Sequence, residues 1–150
     1  MGKPAQAPTR IRPPIPSDAA ALAALAGELG YPTSAEALLG RLVALHPTDA
    51  AVMVATDAAD RPIGWCHVEL RRTLVEPLSA LVMGMVVAEG HRSSRIGSQL
   101  LEAVERWASA RGCERMVIAT RLTRERAHAF YTREGYAVSK ASYFLTKLLD

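Results

Sequence analysis

The apolar run LSALVMGMVVA, residues 78–88, constrains this 150-residue chain more than any other stretch. An uninterrupted run of that length, rich in aliphatic side chains, suits a central strand covered on both faces. It passes through the polar turn EGHRSSR, residues 89–95, into IGSQLLEAVERWA. In that last segment Ile96, Leu100, Val104 and Trp107 or Ala108 recur at helical spacing, and Gly112 ends the helix. A buried strand that turns sharply into an amphipathic helix is the nucleus around which the other elements are arranged.

Residues 1–9 read as a disordered start, and RIRPPIP as a short edge strand, because its prolines cannot donate to a central ladder. Ser17 is expected to cap a first helix reaching about Leu29, with Leu22, Leu25 and Leu29 on one face. Thr33 and Glu36 have capping-box spacing for a second helix to about His46. AAVMVAT and PIGWCHVELRR read as strands joined by the turn DAAD, and ERMVIAT as a further buried strand. Thr123 is expected to cap a helix on which Ala127, Phe130 and Tyr131 share a face, with Gly135 as its stop. AVSKASYFLTKLL reads as a last strand. The order β-α-α-β-β-β-α-β-α-β predicts a mixed α/β sheet with helices on both faces, in one domain over residues 10–150.

Composition excludes several classes. No stretch reaches the roughly 18 apolar residues that span a bilayer, and the N-terminus carries no apolar signal core, so a cytoplasmic protein without a membrane partner is expected. Cys66 and Cys113 sit in apolar surroundings and read as small buried hydrophobes in a reducing compartment. The histidines and carboxylates show no metal-ligand spacing. Residues 1–75 hold seven basic and seven acidic side chains, whereas residues 92–133 hold nine arginines against four glutamates. That local excess suits a phosphate-bearing ligand. Nucleic acid is disfavoured, since aromatics make up 5% of the chain and are not interleaved with the basic residues.

A helix N-terminus leaves four backbone N–H groups unpaired and carries about half a positive charge. A turn that adds Arg92, Ser93, Ser94 and Arg95 before it, with Gly97 allowing close approach, suits a pyrophosphate. The turn lacks the lysine of the mononucleotide phosphate loop and the G-x-G-x-x-G fingerprint of dinucleotide-binding folds.

VVAEGHRSSRIGSQLL resembles the coenzyme A signature R/Q-x-x-G-x-G/A of the Gcn5-related N-acetyltransferases (GNAT). Arg92 and Gly97 match its first and last positions, and Arg95 stands where glycine is usual. RERAHAFYTREGY resembles the second signature, N-x-x-A-x-x-x-Y-x-x-x-G-F/Y, through Ala127, Tyr131, Gly135 and Tyr136, with Arg124 in place of asparagine. Arg92 and Tyr131 are 39 residues apart with a strand between them, the order that family has.

The resemblance implies a mostly antiparallel sheet whose fourth and fifth strands splay apart, with the pantetheine arm of acetyl-CoA in the gap. It implies that Met85, Val86 and Val87 offer backbone groups to that arm, with Gly84 as a bulge or close-approach position. The pyrophosphate would lie against residues 93–98, so that Ile96 and Ser98 join the turn. Arg124, Ala127, Phe130 and Tyr131 would flank the cofactor from the second signature. Tyr131 is the expected acid that protonates the departing thiolate. No carboxylate stands at Met83, Gly84 or Met85, where many relatives carry a glutamate base. His67 and Glu69, two apart and therefore on one strand face, are the alternatives. Tyr31, Trp65 and Tyr143 are candidates for the acceptor pocket.

The expectation is an acetyl-CoA-dependent N-acetyltransferase acting by direct attack on a primary amine of a small molecule or peptide, without metal, and the resemblance is compatible with a homodimer. An acyl-CoA-binding sensor with little catalysis is the alternative, because the strand carboxylate is missing and Arg95 replaces glycine.

Overall fold

The structure, a computed structural model, describes residues 9–92, 94–120 and 125–150. A first compact unit ends at Ala119 and a second begins at Thr120. The first contains β1 (Arg10–Arg12), α1 (Ala19–Leu29), α2 (Ala35–Ala44), β2 (Ala50–Thr56), β3 (Pro62–Arg71), β4 (Ser79–Val87), α3 (Ile96–Ala110) and β5 (Arg115–Ile118). The second contains α4 (Glu125–Arg133). The strands form one sheet in the order β1-β2-β3-β4-β5. Pairing is antiparallel from β1 to β4 and parallel between β4 and β5.

Neighbouring residues on a strand point to opposite faces, and β3 uses both. The Trp65 indole donates to the Leu22 carbonyl of α1 at 3.2 Å. A Cβ on the adjacent Gly64 would meet Leu100 Cδ1 of α3 at 3.3 Å. The two helices therefore cover opposite faces of the sheet. Leu100, Leu101 and Val104 of α3 are fully buried, as are Cys66 and Val68 of β3. That apolar face is what holds α3, and hence the turn before it, in place.

Local chemistry moves several expected boundaries. Ser17 lies inside a short 3-10 turn, Pro16–Asp18, and Asp18 takes the N-cap position of α1. The carboxylate there is already engaged: Asp18 accepts from the Ile15 amide at 2.8 Å and from both terminal nitrogens of Arg12 at 2.8 and 3.0 Å. The Arg12 guanidinium holds the Asp18 carboxyl below its ordinary range, against the opposing effect of burial. Arg12 also reaches Asp60 at 2.9 Å, so one side chain ties β1 to the start of α1 and to the β2–β3 turn. In α2 the cap is Ser34, whose hydroxyl accepts from the Ala37 amide at 3.0 Å, rather than Thr33. Thr33 instead accepts from Arg41 at 3.0 Å. Leu45 leaves the helical region with ψ 135, which stops α2 short of His46.

Where a last strand was expected, residues 136–150 of the second unit carry neither helix nor strand. The expected cap Thr123 lies outside the described residues. Gly135 does end α4, at φ 95, with its amide bonded to Thr132 O and that of Tyr136 to Tyr131 O.

Candidate active site

β4 runs its full length beside β3, but β5 pairs only with residues 79–82 before it ends at Ile118. The other edge of residues 83–87 has no strand partner among the described residues. This is the parting of the fourth and fifth strands that the sequence led us to expect, and it leaves Met85, Val86 and Val87 on the unpaired length. Register also shifts there: His67 faces Gly84 and Val68 faces Val82, so Met83 is the extra residue of a bulge. Met83 is half-exposed, which corrects the expectation of a strand covered on both faces throughout. Gly84 is a close-approach position, since a Cβ on it would lie 3.2 Å from two ring carbons of Trp65.

At the end of β4 the chain turns tightly. Ala88 donates to Ile63 O at 2.8 Å, and a 3-10 turn, Glu89–His91, follows. Arg92 donates its Nε proton to Val87 O at 3.3 Å, and the Ser94 hydroxyl donates to His91 O. Arg95 precedes α3 in the left-handed region at φ 66, ψ 11. That conformation explains why glycine is usual at this point of the signature. An arginine has no acceptor atom to cap the first turn of α3, so the amide end of the helix has no side-chain cap and suits an anion. Arg92 and Arg95 are both exposed, Ile96 is buried beneath the turn, and Gly97 and Ser98 open the helix. The basic turn, the acceptor-free N-cap and the open edge of β4 fit a polyanion carrying an extended, amide-bearing arm. Ser93 lies outside the described residues.

His67 lies across from Gly84, on the same face as Trp65 and therefore on the side of α1. Its buried Nε2 lies 3.3 Å from Glu69 Oε1 but is misaligned for a hydrogen bond. Burial lowers the His67 pKa, and the Glu69 carboxylate pulls in the opposite direction. A neutral imidazole beside a carboxylate is a proton acceptor at neutral pH. The thiols are poor candidates for covalent chemistry. Burial pushes Cys66 up to about 12 and also raises Cys113.

The acceptor candidates fall in different settings. Trp65 is anchored through its indole to α1 and packs on Gly84. Tyr31 follows the left-handed Gly30 that ends α1 and is 56% exposed. Tyr143 lies in the stretch without regular structure. Sequence reasoning missed Glu28, whose carboxylate accepts from the Glu89 amide at 3.1 Å and so links α1 to the basic turn. Only its place near the end of a helix hinted at this.

In the second unit Tyr131 packs against Phe130 with ring centroids 5.3 Å apart and edge-on to Tyr136 at 6.1 Å. Both signature tyrosines thus belong to one aromatic cluster with Phe130, and Ala127 lies one helical turn before Tyr131. Arg124 lies outside the described residues. Among the described residues no group of three or more histidine, cysteine or acidic side chains could hold a metal ion, and no helix is long and apolar enough to cross a membrane.

Comparison with known proteins agrees with this geometry. The chain is 31% identical over 137 residues to the aminoglycoside N(6')-acetyltransferase type 1 of Stenotrophomonas maltophilia, covering 88% of each. It is 42% identical over 69 residues to the aminoalkylphosphonate N-acetyltransferase of Salmonella typhimurium, covering 45% of this chain and 43% of that one. Its fold is shared with the aminoglycoside N-acetyltransferase AAC(6')-Iy, solved with CoA, at a TM-score of 0.84 and 21% identity over 97% of this chain and 98% of the other. The aminoglycoside 6'-N-acetyltransferase AAC(6')-Ih of Acinetobacter baumannii gives 0.81 at 19% identity, over 95% and 100%. Residues 21–136 match the acetyltransferase (GNAT) family, a span that includes the parted strands, the basic turn and the α4 tyrosine, and the chain belongs to that family.

Proposed function

We propose that this chain transfers the acetyl group of acetyl-CoA to a primary amine of a small molecule or peptide. The observation that carries the reading is the strand–turn–helix of residues 83–98. An unpaired strand edge there leads into a basic turn and an uncapped helix N-terminus. The amine-acetylating relatives support the same class of acceptor.

Bound acetyl-CoA would supply an activated acetyl group, and the residues of the chain divide the remaining work. Arg92, Arg95 and the amides of residues 93–98 would neutralise the phosphates. The backbone of Met85, Val86 and Val87 would align the arm as a further strand does. His67, with the Glu69 carboxylate beside it, would take the proton that an ammonium must lose before its nitrogen lone pair can bond to the acetyl carbon. As the carbon–sulfur bond breaks, the Tyr131 hydroxyl would give its proton to the sulfur. Tyr31 on the loop after α1, Trp65 and Tyr143 are proposed to border the acceptor.

The test is calorimetric titration with acetyl-CoA, CoA and dephospho-CoA, on the wild type and Arg92→Ala. A dissociation constant near 1 μM corresponds to about 8 kcal/mol. We expect binding in that range and a loss of about tenfold or more in the variant, as befits a charge-assisted phosphate contact. Absence of acetyl-CoA binding to the wild type would sink the reading. Given binding, turnover with monoamines, aminoalkylphosphonates and aminoglycosides identifies the acceptor.

A further inference from the structure

The basic turn after β4 begins without a cap of its own. Its 3-10 turn, Glu89–His91, starts from Ala88, which has no side-chain atom to accept from the first amides. The Ala88 amide is taken by Ile63 O at 2.8 Å, and those of His91 and Arg92 turn back to Ala88 O and Glu89 O. The Glu89 amide has no such neighbour. Its acceptor is the Glu28 carboxylate at 3.1 Å, 61 residues earlier in the chain.

Nothing local to α1 calls for an acid there. Glu28 lies in the last turn of the helix, where the carbonyl end repels a carboxylate and no basic side chain offsets it. It is also exposed, so packing does not explain it. The rest of α1 is held firmly. Leu22, Leu25 and Ala26 are buried, the Trp65 indole donates to Leu22 O, and the amides of Gly30 and Tyr31 close the helix on Ala26 O. Leu29, next to Glu28, comes within 3.9 Å of where a Cβ on Gly84 would stand. Consecutive residues of α1 thus meet both ends of the stretch from Gly84 to Glu89, and Glu28 braces the turn from a helix already fixed to the sheet.

We propose that Glu28 is a positioning residue for the donor's phosphates: by holding the Glu89 amide it sets the turn that aims Arg92. Arg92 is tied to that turn directly, its amide bonding to Glu89 O at 3.4 Å and its Nε to Val87 O at 3.3 Å. The inference rests on the acetyl-CoA reading and adds to it a residue outside both signatures. It also has a sign that charge alone does not give. A carboxylate beside an anion-binding turn repels phosphates, so its removal would strengthen binding if Glu28 acted only through its charge. Acting as a hydrogen-bond acceptor, it does the reverse.

Calorimetric titration with acetyl-CoA reads this on the wild type, Glu28→Ala, Glu28→Gln, Arg92→Ala and the Glu28→Ala/Arg92→Ala double variant. Glu28→Ala is expected to weaken binding about two- to tenfold, the worth of one hydrogen bond. Glu28→Gln keeps an oxygen for the Glu89 amide and drops the charge, so it should bind as tightly as the wild type or more tightly. Arg92→Ala should cost no more than about threefold in the Glu28→Ala background, because the guanidinium has already lost its placement. Thermal unfolding of both Glu28 variants should stay near the wild type, since alanine and glutamine are good helix formers, and this separates positioning from loss of fold. Glu28→Ala binding as tightly as the wild type overturns the proposal. So does a glutamine variant as weak as the alanine one, or an Arg92→Ala loss equal in both backgrounds. In each of those cases acetyl-CoA still binds the wild type and the acetyltransferase reading stands, whereas no binding to the wild type ends both.

Discussion

Arg95 is held in a conformation that an L-residue other than glycine avoids, at φ 66. The left-handed region costs such a residue about 1 kcal/mol relative to glycine. Strain of this kind persists where the surroundings impose it, and it collects at functional sites. Two substitutions separate the backbone from the charge. Arg95→Gly removes both the strain and the guanidinium, and is expected to raise stability by about 0.5–1 kcal/mol, a gain of roughly 2–4 °C in Tm. Arg95→Ala keeps the strain and removes only the charge, so its Tm should stay near that of the wild type. Both should weaken acetyl-CoA binding several-fold, because the side chain stands where the phosphates would lie. Thermal unfolding together with calorimetry checks this pair. Equal affinity in all three proteins would show that Arg95 is a tolerated misfit and no phosphate contact. The sequence showed that glycine was missing from this position, but it could not show whether the backbone had changed with it. The structure answers that Arg95 itself takes up the left-handed conformation that glycine favours.

At the scale of elements, Trp65 and Gly84 help join α1 to the sheet, on the side where the acceptor is proposed to bind. The Trp65 ring lies flush against Gly84, and its indole proton is donated to α1. Gly84→Ala would drive a methyl group to 3.2 Å from the ring, closer than ordinary contact allows. Overpacking of this kind costs about 1–3 kcal/mol. The ring can yield only by moving away from β4, which disturbs its bond to Leu22 O and shifts the helix end that carries Gly30 and Tyr31. We expect Gly84→Ala to lose stability in that range and to raise the KM for the amine more than the Kd for acetyl-CoA. Urea unfolding and steady-state kinetics measure the two. A change confined to acetyl-CoA affinity would contradict this account. Elements of this sheet were legible where their signals were local. The apolar run gave β4, the turn DAAD gave the β2–β3 hairpin, and glycine marked a close approach in β4. Caps were misplaced by one residue because Ser17 and Thr33 lose to their neighbours: Asp18 is engaged by Arg12, and Ser34 accepts from the Ala37 amide, while adjacent polar residues look alike as caps in the sequence. The last strand was read from propensity alone, and within the second unit no strand edge is described for residues 136–150 to join.

For the molecule as a whole, charge placement gives a test that no single substitution can. The formal net charge is +3, and residues 92–133 alone contribute nine arginines against four glutamates. In the first unit many acidic groups already answer arginines: Asp18 and Asp60 pair with Arg12, Asp57 with Arg61, Asp49 with Arg72, and Glu76 with Arg71 and Arg115. Pairing of this kind spends negative charge that a polycation would need, while the basic half keeps its excess. The long-range field of the protein therefore favours the anionic donor over a highly cationic acceptor. Exposed charges are screened over about 10 Å at 0.1 M salt and about 3 Å at 1 M. Raising salt across that range should weaken acetyl-CoA binding progressively, with the slope reduced in Arg92→Ala. The KM of a monoamine should hardly move. An aminoglycoside KM should fall with added salt if the field repels it, and an aminoalkylphosphonate KM should rise, since its acidic group is drawn to the same arginines. Steady-state assays across a salt series read all of these. If instead the aminoglycoside KM rises with salt, attraction dominates at the acceptor mouth. Local carboxylates such as Glu28, Glu69 and Glu89 would then outweigh the net charge, and the acceptor would be sought among polyamines.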